Sequence, residues 1–159
     1  MLERIQIDLS DLPDLHRKYA CQFASVTMIG SDRSRLVHAI AGGVDHHVEH
    51  FSTERGPMSC AERVIFSQKL LRIDDTAFLA PNETCPLMVA EDLRAYIGAP
   101  IIVDAKTVGV VEMMNATPRV WTEVEIAAIE RLAAHCAQEL ERQQNHDETV
   151  VVPFAARPR

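Results

Sequence analysis

The sequence predicts an α+β fold in a single domain, and three stretches carry that prediction. The first is Leu93 to Pro118, where two apolar runs, Ile97 to Val103 and Val108 to Met114, are joined by Asp104, Ala105, Lys106 and Thr107 and closed by a proline. Such runs suit buried hairpin strands, and the four linking residues fit a loop built around a type I turn. In the second stretch, Thr122 and Glu125 form a capping box ahead of Ile126, Ile129, Ala133, Cys136 and Leu140, widened by Leu132. That stripe predicts a helix running to about Gln143. The third alternates Phe23, Ser25, Thr27 and Ile29 against Ala24, Val26 and Met28, then turns at Gly30-Ser31-Asp32. It reads as a strand whose partner is Arg35 to Ala41.

The remaining elements follow in chain order. Leu12, Leu15 and Tyr19 fall at helical spacing after Asp11 and Pro13, which predicts a short amphipathic first helix. Gly42 to Met58 is rich in glycine and charge and reads as a long loop, a common setting for binding or lid elements. Ser59 with Glu62 repeats the capping-box pattern and opens a middle helix with Val64, Ile65 and Phe66 on its apolar side. Lys69 to Asp74 is a short strand. An apolar but irregular crossover spans Asp75 to Glu91, with a short helix near Leu87 to Leu93. From Gln144 the periodicity fades, so residues 1–143 form the domain and 144–159 an extended or disordered tail whose Val150 to Phe154 could join a sheet edge or a partner.

At 159 residues the chain is long enough for one proper core. Its composition, 47% apolar and 25% charged, is that of a globular protein. A net charge of −7 and no basic cluster exclude a nucleic-acid surface, which depends on grouped Lys and Arg. No apolar stretch reaches the roughly 18 residues that span a bilayer, and the N-terminus lacks the layout of an export signal. A cytoplasmic protein with no membrane partner is expected. Cys21, Cys60, Cys85 and Cys136 are widely spaced without a CxxC pair, so they read as small core residues and structural disulfides are not expected. His46, His47 and His50, with Glu49, lie in the long loop without Cys or Asp at matched spacing; they read as a solvated loop rather than a metal site.

The order of elements, together with Ser59-Cys60, Leu71-Arg72-Ile73-Asp74-Asp75, the run Leu93 to Pro100, Val108-Gly109-Val110-Val111 and Thr117-Pro118-Arg119, resembles the GAF domain, a small-molecule sensor module related to PAS domains. The resemblance covers about residues 10 to 143. It implies a central antiparallel β-sheet of about six strands, with the terminal helices on one face and a ligand pocket on the other, roofed by the middle helix and the crossover. The ligand-binding residues it implies are Ser59, Cys60, Arg63, Phe78, Met88, Leu93, Tyr96, Gly98 and Met113. Arg63 and Tyr96 would be the polar anchors among mostly apolar neighbours, suited to an anion, an aromatic acid or a purine.

The function implied is a non-catalytic sensor binding a small molecule in signal transduction or regulation, with no cofactor. With no kinase, cyclase or DNA-binding segment in the sequence, output is expected to pass through a signalling partner protein or to lie in a larger assembly. Small residues along the last helix and the habit of such modules to pair through terminal helices imply a homodimer through the first and last helices. The rival reading is enzymatic. Cys60 and Cys85 stand near positions where free methionine-(R)-sulfoxide reductases, which share this fold, place catalytic thiols, and a helix N-terminus would favour the thiolate. Against it, the acidic residues of that branch are replaced around Arg94-Ala95-Tyr96, and only Glu112 and Asn115 stand where its later pair would be. Bilin attachment and cyclic-nucleotide binding, known in other branches, lack matching residues.

Overall fold

The computed structural model describes residues 9–30, 33–42, 48–54, 58–83, 85, 88–89 and 92–155. Helix α1 (Asp11–Lys18) leads into strands β1 (Phe23–Ile29), β2 (Arg35–Gly42) and β3 (Val48–Glu54). Helix α2 (Cys60–Ser67), strand β4 (Leu71–Ile73) and a 3-10 turn at Thr76–Phe78 follow. The chain then forms the hairpin β5 (Ala95–Val103) and β6 (Lys106–Asn115) and closes with helix α3 (Glu123–Ala155). All six strands join one sheet in the order β3-β2-β1-β6-β5-β4, every pairing antiparallel.

Strand parity sorts the side chains between two faces. One face packs Ala24, Val26 and Met28 of β1 with Ile97 and Ile101 of β5 and Val111 and Met113 of β6 against α1 and α3. The stripe predicted on the last helix is this contact: Ile129, Leu132, Ala133, Cys136 and Leu140 are buried and Ile126 partly so. The opposite face packs Leu36, Tyr96 and Val110 against α2 and the crossover.

The entry to α3 is pinned to β4. Trp121, 1% exposed, donates its indole N–H to the Ile73 carbonyl at 3.1 Å, and its backbone N–H reaches an Asp74 carboxylate oxygen at 3.3 Å. The Thr122–Glu125 capping box is present, and Glu125 also pairs with Arg119, whose guanidinium stacks 4.8 Å from the Trp121 ring. Asp74 and Asp75 are both engaged in ion pairs, Asp74 with Arg72 and Asp75 with Arg94.

Four details depart from the sequence reading. The loop assigned to Gly42–Met58 contains the edge strand β3, polar because it pairs along a single edge, with Val48 opposite Ala41 and Glu54 opposite Arg35. His50 lies on this strand, whereas His46 and His47 lie outside the described residues. The hairpin turn has two residues rather than four: Val103 pairs with Lys106, and Asp104 and Ala105 both take positive φ, 51° and 61°. This is a type I′ turn, whose twist matches the strands it joins, and a bulge between Ile101 and Ile102 follows at once. Of the short helix expected near 87–93, Met88 and Val89 are helical and the rest is not regular in the described residues. Finally, α3 does not end near Gln143 but continues to Ala155, through the segment expected to be an extended or disordered tail.

Candidate functional site

The roof of the second face begins with the capping box on α2. The Ser59 hydroxyl accepts from the Glu62 N–H at 3.2 Å, and the Glu62 carboxylate accepts from the Ser59 N–H at 3.1 Å. Cys60 opens the helix and is joined to Cys85 of the crossover in a disulfide, with Cα atoms 5.7 Å apart. This overturns the expectation of no disulfide: the chain leaves α2 and returns to its N-terminus 25 residues later, a closure invisible in cysteine spacing. Cys21 and Cys136 are the buried thiols expected, and burial pushes their pKa values up to about 11 and about 12. Arg63 donates to the carbonyls of Asn82 and Glu83, so its guanidinium ties the crossover to α2.

Of the nine residues expected around a pocket, Cys60, Met88, Leu93 and Tyr96 are buried together in the roofed cluster, with the Met88 sulfur 3.3 Å from that of Cys60. Ser59 is their helix cap. Two expectations fail. Phe78, 88% exposed in its 3-10 turn, cannot line an interior. Met113 is buried on the opposite face, against the terminal helices. A four-residue turn would have set Val103 opposite Val108 and Gly98 opposite Met113; the true register sets Gly98 opposite Glu112. A one-residue shift moves every side chain of a strand to the other face.

Glu112 therefore stands where Met113 was expected, at the centre of a buried polar network. It faces Ser25 across β1 and Gly98 across β5. A Cβ on Gly98 would lie 2.4 Å from the Tyr96 hydroxyl, so the glycine makes room for that ring to reach along the sheet. Tyr96 donates to Glu112 Oε1 at 2.7 Å, while Ser25 and Thr27 donate to Oε2 at 3.0 and 2.6 Å. Thr27 Oγ1 also lies 2.8 Å from His38 Nδ1. Because the single Thr27 proton is directed at Glu112, the proton of this second bond belongs to His38 Nδ1. Burial lowers the His38 pKa from its ordinary value, opposed by the charge of Glu112. Burial first, and then Glu112, pushes the Tyr96 pKa well up, so its proton stays on oxygen.

Chemically, the face offers a carboxylate held by three hydroxyls, with an imidazole bonded to one of them, in a water-poor setting where each hydrogen bond counts for more. Among the described residues no group of three or more His, Cys, Asp or Glu could hold a metal ion. The sequence reading assigns no site role to Ser25, Thr27 or His38, and it names Glu112 only as a counterpart of the reductase branch's acidic pair. Part of the signal was present: Ser25 and Thr27 alternate onto one side of a strand whose other side is wholly apolar.

An α+β sheet with terminal helices on one face and a roofed polar face on the other defines a class of sensor and regulatory modules of signalling proteins. The model of the GAF domain matches residues 14–140, and the chain belongs to the GAF domain family. Among solved structures it is similar to the blue-light absorbing form of the Thermosynechococcus elongatus PixJ GAF domain, at 17% identity over 96% of this chain and all of that one, TM-score 0.66. The GAF domain of a Coxiella burnetii phosphoenolpyruvate-protein phosphotransferase matches at 18% identity, over 86% and 82% of the two chains, with a TM-score of 0.67. A type II free methionine-R-sulfoxide reductase from Thermoplasma acidophilum matches at 12% identity, over 84% and 89%, with a TM-score of 0.62. No curated protein matches the chain in sequence. Among the described residues, no helix is long and apolar enough to cross a membrane.

Proposed function

We propose that this domain is a non-catalytic sensor that binds a small molecule on the roofed face of its sheet and passes the change to a signalling partner through its terminal helices. The observation that carries this reading is the polar network of Glu112, Tyr96, Ser25, Thr27 and His38, drawn from four strands on that face. A core needs no such network for stability, since burying polar groups costs free energy that their hydrogen bonds only offset. Arg63 directs two of its donors to crossover carbonyls and so braces the roof. The test is a thermal-shift screen of the full chain against a metabolite library, repeated with Glu112→Gln, because a ligand of the folded form raises apparent stability by mass action. The reading expects a compound that raises the melting temperature of the wild type and has little effect on the variant. A library without effect contradicts it.

One observation favours the enzymatic reading, the pairing of Cys60 with Cys85. In that chemistry two thiols would reduce a sulfoxide to a sulfide, yielding water and the disulfide, and an external dithiol would restore the thiols. Incubation with dithiothreitol and free methionine-(R)-sulfoxide decides it: the sensor reading expects no methionine, whereas turnover lost in Cys85→Ser would establish the enzyme.

The homodimer through α1 and α3 belongs to the same proposal. Between α3 and β5 runs a groove of about 450 Å³ lined by Ala133, Ala134, Ala137, Pro100 and Ile102, with Glu130 and Glu141 among its polar residues. Small side chains permit close helix approach. Light scattering at tens of micromolar should give twice the chain mass of 17.8 kDa; a monomeric mass rejects this interface.

A further inference from the structure

Glu112 is a buried carboxylate, 5% exposed, and each of its hydrogen-bond partners is a neutral hydroxyl. Among the described residues no Lys or Arg pairs with it. Arg63 on α2 is bound to the carbonyls of Asn82 and Glu83, Arg72 pairs with Asp74 and Arg94 with Asp75. His38 reaches Glu112 only through Thr27, and burial favours its neutral form. Buried charges are ordinarily paired with an opposite charge. Here the counter-charge is not supplied by the residues that hold the carboxylate.

The direction of the protons narrows the chemistry further. Tyr96, Ser25 and Thr27 each have one hydroxyl proton, and all three are directed at Glu112. What these oxygens still offer is lone pairs. A ligand meeting this cluster therefore finds acceptors and negative charge, and no donor from these three hydroxyls. An anion would be repelled, whereas an ammonium or guanidinium group would supply both the missing positive charge and the missing donors.

We propose that the Glu112 cluster is the recognition site for a small organic cation, with Glu112 as its counter-ion and Tyr96, Ser25 and Thr27 as acceptors. This rests on the reading of the roofed face as the ligand face and names the class of ligand. Gly98 contributes by its missing side chain, which lets the Tyr96 hydroxyl stand beside Glu112.

The test is calorimetric titration of the full chain with ethylammonium and ethylguanidinium chloride, at ionic strength held constant with sodium chloride. Propanol and sodium acetate serve as the uncharged and anionic counterparts. The cations are expected to bind saturably and the other two not at all. Glu112→Gln should weaken cation binding by roughly tenfold or more, the scale of losing a charge-assisted hydrogen bond. Tyr96→Phe, which keeps the carboxylate, should weaken it only a few-fold and guards against a Glu112 variant that fails to fold. Binding of acetate in preference to the cations overturns the ligand class while leaving a small-molecule site on this face. Absence of binding by both cations also overturns it, with the metabolite screen deciding separately whether the domain binds anything. Cation binding unchanged in folded Glu112→Gln places the site elsewhere and refutes the proposal.

Discussion

On the face covered by α1 and α3, the side chains that β1, β5 and β6 contribute to the core are all apolar, whereas on the face covered by α2 the same strands contribute Ser25, Thr27, Tyr96 and Glu112. The two faces are built from alternate residues of the same backbone. The first gains stability from burial that scales with area and requires little directional fit. The second places polar groups where each must find a partner, a condition that rigidifies the site and defines what can bind there. The roof differs as well: α3 is a continuous helix on the first face, while α2 has 8 residues and relies on a disulfide and Arg63 to hold its crossover.

If this division is correct, substitutions on the two faces should separate into losses of stability and losses of binding. The largest stability loss is expected from Trp121→Ala on the helix face, about 3–5 kcal/mol in urea unfolding, because a buried indole and its bond to Ile73 disappear together. Any surviving folded fraction should keep its ligand affinity. Opening the Cys60–Cys85 bond, by reductant or as the paired alanine variant, should cost about 3 kcal/mol from the closure entropy of a 25-residue loop. Hydrogen exchange should then rise in α2 and in the crossover before it rises in β1 or β6; uniform loosening would mean the roof is not a separate unit.

Tyr96→Phe should cost about 1–3 kcal/mol by leaving Glu112 Oε1 without its partner, read from chemical denaturation. A cost near zero would mean that the network is already relaxed. The smallest effect concerns pH. Burial holds the His38 pKa below 6.5, so the unfolded chain binds a proton there more readily than the folded one. The contribution of neutral His38 is fully present above about pH 6.5 and is lost as pH falls through its folded value. His38→Asn, which can still donate to Thr27, should flatten that part of the stability profile; an unchanged slope would place the acid sensitivity in other groups.

Much of the architecture was legible because several local signals agreed: two capping boxes, the stripe on α3, and alternation in β1. The site was less legible for one mechanical reason. Asp104-Ala105 forms a type I′ turn without the glycine that usually marks one, two residues shorter than the loop inferred, and the bulge between Ile101 and Ile102 takes one residue back, so the β5–β6 register differs by one. That single shift exchanges Glu112 for Met113 and hides the network. The disulfide and the exposure of Phe78 depend on how the crossover returns over α2, which no local pattern encodes. Strand β3 escaped notice because an edge strand can be polar along its length.

Adjacent residues on β6 provide the most direct test of the division. Met113 faces the terminal helices and Met114 the roofed cluster, while Met28 and Met88 report the two faces from elsewhere in the fold. Methyl-labelled methionine spectra should be recorded as a compound that raises the melting temperature is titrated in. The account predicts that the Met114 and Met88 signals move with ligand while Met113 and Met28 stay in place. Movement of Met113 and Met28 with Met114 and Met88 unchanged would contradict it.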